Sequence, residues 1–321
     1  MAVPVIHFMG SRLTGRHLAG IYLIWEGNMS TGKLIAVTGA TGNVAPEVIS
    51  LLLSAGQRVR AIVRNPGKAA ALAARGAEIV EADLGRPRTL EHAFDGADAV
   101  LSIAPPGPQA PQQSSAVFWA ARQARVGHVV RLSAFGAAHD APTVNSRLHA
   151  LSDAELERSN VPYTILKPHF FMQNLFMAAE SVSREGAMYL ALGEGRMGMI
   201  DVQDIAAVAA HVLNTPGHEG KTYVMTGPES IDMHAVAAAF SEAVGRAVRY
   251  APIPVTALDQ GMAQMGMDEF TRTMLCDYFT AYSNNWGDVV THTVPQLLGR
   301  PARSIRDFAR AVAGAFGAGQ S

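Results

Sequence analysis

Two histidines of this sequence, His149 and His169, have the residue type and position best suited to proton transfer near neutral pH. His149 falls on the helix predicted after the fifth strand, and His169 directly follows the sixth. An imidazole changes its protonation state near neutrality, so it can act as a general acid or base. We therefore predict that His149 is the catalytic acid; the alternative is a helix-face histidine that only holds a ligand or water. His169 is predicted to line the binding pocket, with a place on its rim as the alternative.

Tyr163 and Lys167 form a Tyr-x-x-x-Lys pattern, which on a helix would place a phenol and an amine on one face. Here Val161 and Pro162 precede a Tyr-Thr-Ile-Leu run that predicts a strand. Residues four apart on a strand are separated by about 13 Å, which is too far for a coupled acid pair. The pattern therefore does not predict a catalytic pair.

A glycine-rich turn follows the first predicted strand, residues 34–37. Gly39, Gly42 and Ala45 are spaced three apart, and an apolar helix pattern begins immediately behind them. This order of strand, turn and helix brings free backbone N–H groups toward a ligand, and a helix N-terminus favours an anion such as a pyrophosphate. The sequence therefore predicts a dinucleotide site with contacts from Gly39, Thr41, Gly42, Asn43 and Val44.

The end of the second predicted strand, residues 58–63, indicates which dinucleotide binds. An NAD site usually carries Asp or Glu about 20 residues beyond the glycines, whereas this sequence has Arg64 there, with Lys68 one helical turn later. A guanidinium at that position suits a 2′-phosphate through charge-assisted hydrogen bonds. We expect NADP(H) to be favoured over NAD(H); a solvated surface arginine is the alternative interpretation of Arg64.

Strands and helices alternate along the chain up to about residue 225. The pattern predicts strands at 34–37, 58–63, 78–83, 99–103, 128–132, 163–166 and 221–225, and helices at 66–75, 87–94, 112–126, 145–159 and 232–244. Such alternation is typical of an α/β, Rossmann-type doubly wound parallel sheet. Ligands of these sheets lie beyond the carboxyl ends of the strands. Further cofactor contacts are therefore expected from Asp83, Leu84, Ser102, Ala104, Ser133 and Pro168.

We predict a Rossmann domain over residues 31–232. A smaller, mostly helical substrate-binding region is predicted over residues 233–321, with 170–199 contributing to it. Asp204 is the expected N-cap of an Ala/Val-rich helix. Residues 1–28 lack the basic start, continuous apolar segment and small-residue cleavage site of a signal peptide. We expect residues 1–30 to form a disordered extension; the alternative is that residues 21–25 pack on the surface of the protein.

The sequence resembles the NmrA-like branch of the atypical short-chain dehydrogenase/reductases. The resemblance lies in VTGATGNV at 37–44, AIVRNP at 61–66, ADL at 82–84, VPYTILKPHFFMQN at 161–174, MIDVQDIAAVAAHVL at 199–213 and YVMTGPE at 223–229. It implies a dinucleotide-binding domain with a small C-terminal substrate region. The function implied is either NADPH-dependent reduction of quinones, azo dyes or triphenylmethane dyes, or NADP-sensing regulation without turnover. Isoflavone-reductase-like relatives carry a lysine at the place of His149, and many members read Arg-Pro-Gly where this chain has Lys167-Pro168-His169.

Aromatic and methionine side chains cluster around the predicted strand ends and suit a flat aromatic substrate. The predicted substrate contacts are Phe135, His169, Phe170, Met172 and Trp286, with core packing as the alternative for each. The predicted function is an NAD(P)H-dependent oxidoreductase that transfers hydride to a small, electron-poor aromatic or quinone-like compound. The alternative is an NADP(H)-sensing binding protein without turnover.

At 321 residues with a formal net charge of −1, the chain shows no basic footprint for nucleic acid or an anionic membrane surface. No apolar run reaches the length of a membrane span. The single cysteine, Cys276, excludes an intrachain disulfide and fits a reducing compartment, so we expect a cytoplasmic protein. The eleven histidines show no ligand spacing, so no metal site is predicted. The sequence leaves the oligomeric state open.

Overall fold

Seven parallel strands form the central sheet of the computed structural model, which describes residues 32–319. The strand order is β3-β2-β1-β4-β5-β6-β8. The predicted extension at residues 1–30 lies outside the described part of the chain. The strands of the structure are β1 Leu34–Val37, β2 Arg58–Val63, β3 Glu78–Glu81, β4 Ala99–Ser102, β5 His128–Leu132, β6 Tyr163–Pro168, β7 Ala187–Leu190, β8 Lys221–Met225 and β9 Arg249–Pro252.

The order of the strands reverses direction between β1 and β4, and this is where a doubly wound sheet opens a crevice for a ligand. All residues of β1 and β4 are buried, because helices cover both faces of a parallel sheet. Thr38, the residue after β1, bonds the segment that follows β4. Its Oγ1 accepts a hydrogen bond from Ile103 N at 2.8 Å and donates one to Ile103 O at 2.9 Å.

Helices pack on both faces of the sheet and over one end of it. They are α1 Ala45–Ser54, α2 Ala70–Ala74, α3 Ala110–Gln123, α4 Val144–Glu157, α5 Ala179–Glu185, α6 Val202–Asn214, α7 Met233–Val244, α8 Val255–Gln264, α9 Glu269–Ser283, α10 Thr293–Leu298 and α11 Ile305–Val312. Helices α1 and α6 bury apolar side chains against one face, and α3 buries its own against the other. The α/β Rossmann-type class predicted from the alternating pattern is confirmed.

A third apolar core lies in the C-terminal part of the chain, where Phe240, Phe308 and Phe316 pack together. This part also holds a two-stranded parallel sheet of β7 and β9, which the sequence analysis did not predict. Each strand has only four residues, too few to show a clear alternation. The domain boundary at residue 232 stays a prediction.

Two local predictions are wrong. The predicted helix at 87–94 is a single 3₁₀ turn over Pro87–Leu90, followed by turns. Asp201, not Asp204, caps α6, and its Oδ1 accepts a hydrogen bond from Gln203 N at 3.0 Å.

Asp204 instead lies fully buried in the first turn of α6 and holds the C-terminal segment. Its Oδ2 accepts a hydrogen bond from Arg303 N at 2.6 Å, and its Oδ1 lies 2.7 Å from Arg300 Nη1. The Arg303 guanidinium in turn donates to Asp201 Oδ2 at 2.7 Å. Both carboxylates at the start of α6 are therefore paired with residues from near the end of the chain.

Candidate functional site

A cavity of about 570 Å³ lies at the carboxyl ends of β1 to β6, at the reversal of strand order. Helices α4 and α9 form its outer side. Most of the predicted site residues line it, namely Gly39, Thr41, Gly42, Asn43, Val44, Arg64, Asp83, Leu84, Ala104, Ser133, Phe135, His149, Pro168, His169 and Phe170. Because strand ends of a parallel sheet share one edge, residues distant in sequence meet there.

The glycine turn has the geometry of an anion site. Gly39 has a φ of +63°, a backbone conformation that residues with a side chain rarely adopt. A Cβ at this position would lie 2.9 Å from Ile103 O. Val44 precedes α1 without any side-chain cap, whereas Thr143 caps α4 by accepting from Ser146 N at 3.1 Å. The first N–H groups of α1 are thus left for a ligand, and the helix dipole favours a negative one.

Arg64 lies on the cavity wall just past the end of β2, with its side chain exposed. Among the described lining residues the only carboxylate is Asp83, at the end of β3, and its Oδ1 accepts a hydrogen bond from Gly85 N at 2.9 Å. Arg64 therefore carries the cationic charge available to a phosphate on this side of the cavity. Lys68, the second predicted cation, does not line the cavity.

Three other predicted residues lie behind the cavity rather than on its wall. Ser102 is fully buried within β4, and Met172 is buried in the C-terminal core. Trp286 packs edge-on against Phe135, with ring centroids 5.0 Å apart. Its ring also occupies the space where a Cβ at Gly136 would lie, and Gly136 has a φ of +63°. Trp286 thus supports the aromatic wall without lining it.

His149 lines the cavity from α4, and buried polar groups behind it fix its protonation state. Arg131 Nη2 lies 3.1 Å from His149 Nδ1, and because a guanidinium can only donate, Nδ1 must accept. The imidazole is then neutral and carries its proton on Nε2. Burial, helped by the charge of Arg131, lowers the pKa of His149 to about 3. The expectation that His149 titrates near neutrality is therefore wrong, and its role in turnover stays a prediction.

The Arg131 guanidinium is held by a buried carboxylate. Its Nε donates to Asp153 Oδ1 at 2.7 Å, and Ser133 Oγ donates to Asp153 Oδ2 at 2.8 Å. Lys167 Nζ lies 3.2 Å from the same Oδ2. Lys167 therefore contacts this network from β6. The prediction that Tyr163 and Lys167 lie on a strand, and so do not form a helical pair, is confirmed.

His169 lies almost fully buried among rings at the end of β6. Its Nδ1 accepts a hydrogen bond from Phe170 N at 2.8 Å, and its ring centroid lies 4.3 Å from that of Phe135. Burial lowers the pKa of His169 to about 3. His169 is thus a neutral member of the wall at neutral pH.

The sequence analysis placed a substrate-binding region over residues 233–321 but did not name the residues of α9 that line the cavity. Tyr278 and Tyr282 stack with centroids 5.9 Å apart, and Tyr282 lies edge-on to Phe170 at 5.4 Å. Asn145 on α4 also lines the cavity, one helical turn before His149. That spacing of four residues was a signal that could have identified Asn145.

No group of three or more His, Cys, Asp or Glu side chains that could hold a metal ion occurs within residues 32–319. In the same part of the chain no helix is both long and apolar enough to cross a membrane.

The family model described as the NmrA-like family matches residues 31–294. The chain belongs to the NmrA-like family. This membership confirms the resemblance inferred from the glycine turn and the strand ends.

Three proteins are similar to this chain over nearly their whole length. An NAD(P)H azoreductase from Xenophilus azovorans is 40% identical over 285 residues, which span 89% of this chain and 100% of the relative. The structure of an NADPH-dependent quinone oxidoreductase from Escherichia coli, complexed with NADPH, matches with a TM-score of 0.80 and 28% identity, covering 87% of this chain and 99% of the other. A Citrobacter sp. triphenylmethane reductase complexed with NADP(H) matches with a TM-score of 0.78, 27% identity and the same coverage.

Proposed function

We propose that this chain is an NADPH-dependent reductase of small, electron-poor aromatic or quinone-like compounds. One observation carries the proposal: a single cavity joins an anion-binding turn and an arginine at one side to a wall of aromatic rings at the other. The names of the similar proteins, an azoreductase, a quinone oxidoreductase and a triphenylmethane reductase, agree with it.

The residues on the β1–β3 side fit the adenosine half of NADPH. The turn at Gly39 and the uncapped start of α1 present N–H groups suited to a pyrophosphate, and Arg64 presents a guanidinium suited to a 2′-phosphate. Asp83 is engaged with Gly85 at the end of β3. The bound cofactor supplies the hydride.

The residues on the β5–β6 side form the acceptor part of the cavity. Phe135 and Phe170 present ring surfaces on which a flat substrate can stack. His149 offers a neutral Nε2–H donor to a bound molecule. The Arg131–Asp153 pair behind it holds the imidazole in this state.

The proposed location of this reductase is the cytoplasm, supported by its one cysteine, Cys276, which is free in the structure.

The test is NADPH consumption by the purified chain with a panel of quinones and azo dyes, alongside NADPH binding measured by titration. We expect saturable NADPH binding and turnover of at least one acceptor class. Gly42→Val is the matched control for contaminating reductases, because it blocks the turn and should remove both signals. Tight NADPH binding without any turnover would favour the NADP-sensing alternative, and the absence of binding would refute the cofactor assignment.

A further inference from the structure

Asn145 and Tyr278 meet where α4 and α9 form the outer side of the cavity. Asn145 Nδ2 donates a hydrogen bond to Tyr278 Oη at 3.0 Å. The Asn145 side chain is only 8% exposed, and its Oδ1 is buried without a hydrogen-bond partner among the described residues. The buried Asn145 amide therefore holds the Tyr278 hydroxyl in place from α4.

The contact with Asn145 determines what the Tyr278 hydroxyl can do. A phenol has one hydrogen to donate, and here its oxygen already accepts from the amide. No group within residues 32–319 accepts the phenolic hydrogen in the structure. Accepting one hydrogen bond polarises a hydroxyl and strengthens the bond that it donates. The Tyr278 hydroxyl therefore has a hydrogen that it can donate to a bound ligand.

The position of the Tyr278 ring is fixed on two sides. It stacks on Tyr282 with an interplanar angle of 14°, and Tyr282 is itself buried. The preceding residue, Asp277, accepts a hydrogen bond from Val144 N at 2.9 Å, which joins α9 to the first turn of α4. A donor held in this way loses little conformational entropy when it binds a substrate.

The surroundings of this donor are apolar. Phe135, Phe170, Met274 and Phe279 also line the cavity. In such surroundings a substrate with a single polar atom gains from meeting Tyr278, whereas a polar atom without a donor would be penalised.

We propose that Tyr278 recognises the acceptor by donating a hydrogen bond to its polar atom, a quinone carbonyl oxygen or an azo nitrogen, and that Asn145 is the positioning residue of Tyr278. The proposal rests on the proposed reductase function. During reduction the acceptor gains a hydride from the cofactor and then a proton from water, and Tyr278 keeps its own hydrogen. Negative charge builds on the bonded atom between these steps, so the bond strengthens as the acceptor is reduced.

The first test is Tyr278→Phe, which removes the hydroxyl and keeps the stacked ring. We expect kcat/KM for a quinone to fall about ten- to a hundredfold, the factor for losing a hydrogen bond to a developing charge. The Kd for NADPH should not change. Tyr189→Phe is the matched control, since Tyr189 is an exposed residue of β7 that does not line the cavity and whose hydroxyl donates to Glu185 Oε2, and it should keep the parent kcat/KM.

The second test is Asn145→Ala, made in the parent and in the Tyr278→Phe variant. It should lower the quinone kcat/KM in the parent but have little further effect in the Tyr278→Phe background, because its role passes through the hydroxyl. Parent kcat/KM in Tyr278→Phe would overturn the proposal, and so would additive losses in the double variant. A parent chain that binds NADPH but reduces no acceptor would instead refute the proposed function.

A cationic triphenylmethane dye distinguishes two roles of the Tyr278 hydroxyl, recognition of the polar atom of the acceptor and shaping of the cavity. Such a dye takes hydride at carbon and becomes neutral, so it develops no negative charge for a donor to stabilise. Tyr278→Phe should therefore raise the ratio of dye turnover to quinone turnover about tenfold or more. Equal losses with both acceptors would mean that the hydroxyl shapes the cavity rather than recognising the polar atom.

Discussion

Acid pH is expected to destabilise this protein through His169, a histidine that burial keeps neutral. The unfolded chain takes up a proton on this imidazole near pH 6.5, whereas burial lowers the pKa in the folded state to about 3. The unfolded state therefore binds more protons below pH 6.5, so stability is complete above that pH and falls as the pH drops toward 3. Between pH 7 and pH 5 the linkage relation gives a loss of about 2 kcal/mol in the free energy of unfolding.

The perturbation that isolates this effect is His169→Asn. The Asn Oδ1 can take the place of Nδ1 and accept the hydrogen bond from Phe170 N, and the new side chain does not titrate. Urea unfolding at pH 7 and pH 5, at constant ionic strength and without NADPH, gives the free energy of unfolding of each protein. The parent should lose about 2 kcal/mol more than the variant over this range.

His139→Asn is the matched control because His139 is an exposed residue. It should show the same pH dependence as the parent. If His169→Asn also loses as much stability as the parent between pH 7 and pH 5, the imidazole is not held neutral and the reasoning from its burial fails.

Three further predictions concern cofactor and turnover. Arg64→Ala should weaken NADPH binding about ten- to a hundredfold through loss of a charge-assisted contact, with NADH affinity unchanged in parallel titrations; equal weakening of both would refute the 2′-phosphate assignment. Gly42→Val should abolish NADPH binding while circular dichroism shows a folded protein, since the branched side chain enters the cavity beside the turn; unchanged affinity would place the cofactor elsewhere. His149→Ala should lower kcat about tenfold, below the usual range for a general acid, because a neutral Nε2–H donor is lost. Because His149 stays neutral between pH 8 and pH 5, its titration should cause no inflection in the pH profile of kcat over that range. An inflection that is present in the parent and lost in His149→Ala would contradict the neutral imidazole.

The central sheet was predictable because its signals are local. The strands β2, β5 and β8 begin and end at the residues predicted from the sequence. The glycine turn was predictable for the same reason, since strand, turn and helix follow one another within a short stretch. The short sheet of β7 and β9 was not, because its two strands pair across a long sequence separation and neither is distinctive alone.

The candidate site was predictable where it follows strand ends and unpredictable where it depends on tertiary contact. Gly39 and Arg64 line the cavity because their neighbouring strands bring them there. Tyr278 reaches the cavity only through the packing of α9 on α4, and the partner of its hydroxyl is 133 residues away in sequence. The sequence predicts a pKa near neutrality for His149 because it does not reveal that Arg131 lies behind the imidazole.

The pairing of Asp201 and Asp204 with Arg303 and Arg300 has a consequence for how the protein is made. These carboxylates leave the ribosome long before the arginines do, since chains emerge from the N-terminus. A buried carboxylate without its partner is costly, so we expect α6 to reach its full stability on the sheet only after the end of the chain has been synthesised. A nascent chain arrested before Arg300 is therefore expected to remain sensitive to proteases and dependent on chaperones, although it already contains every strand of the sheet.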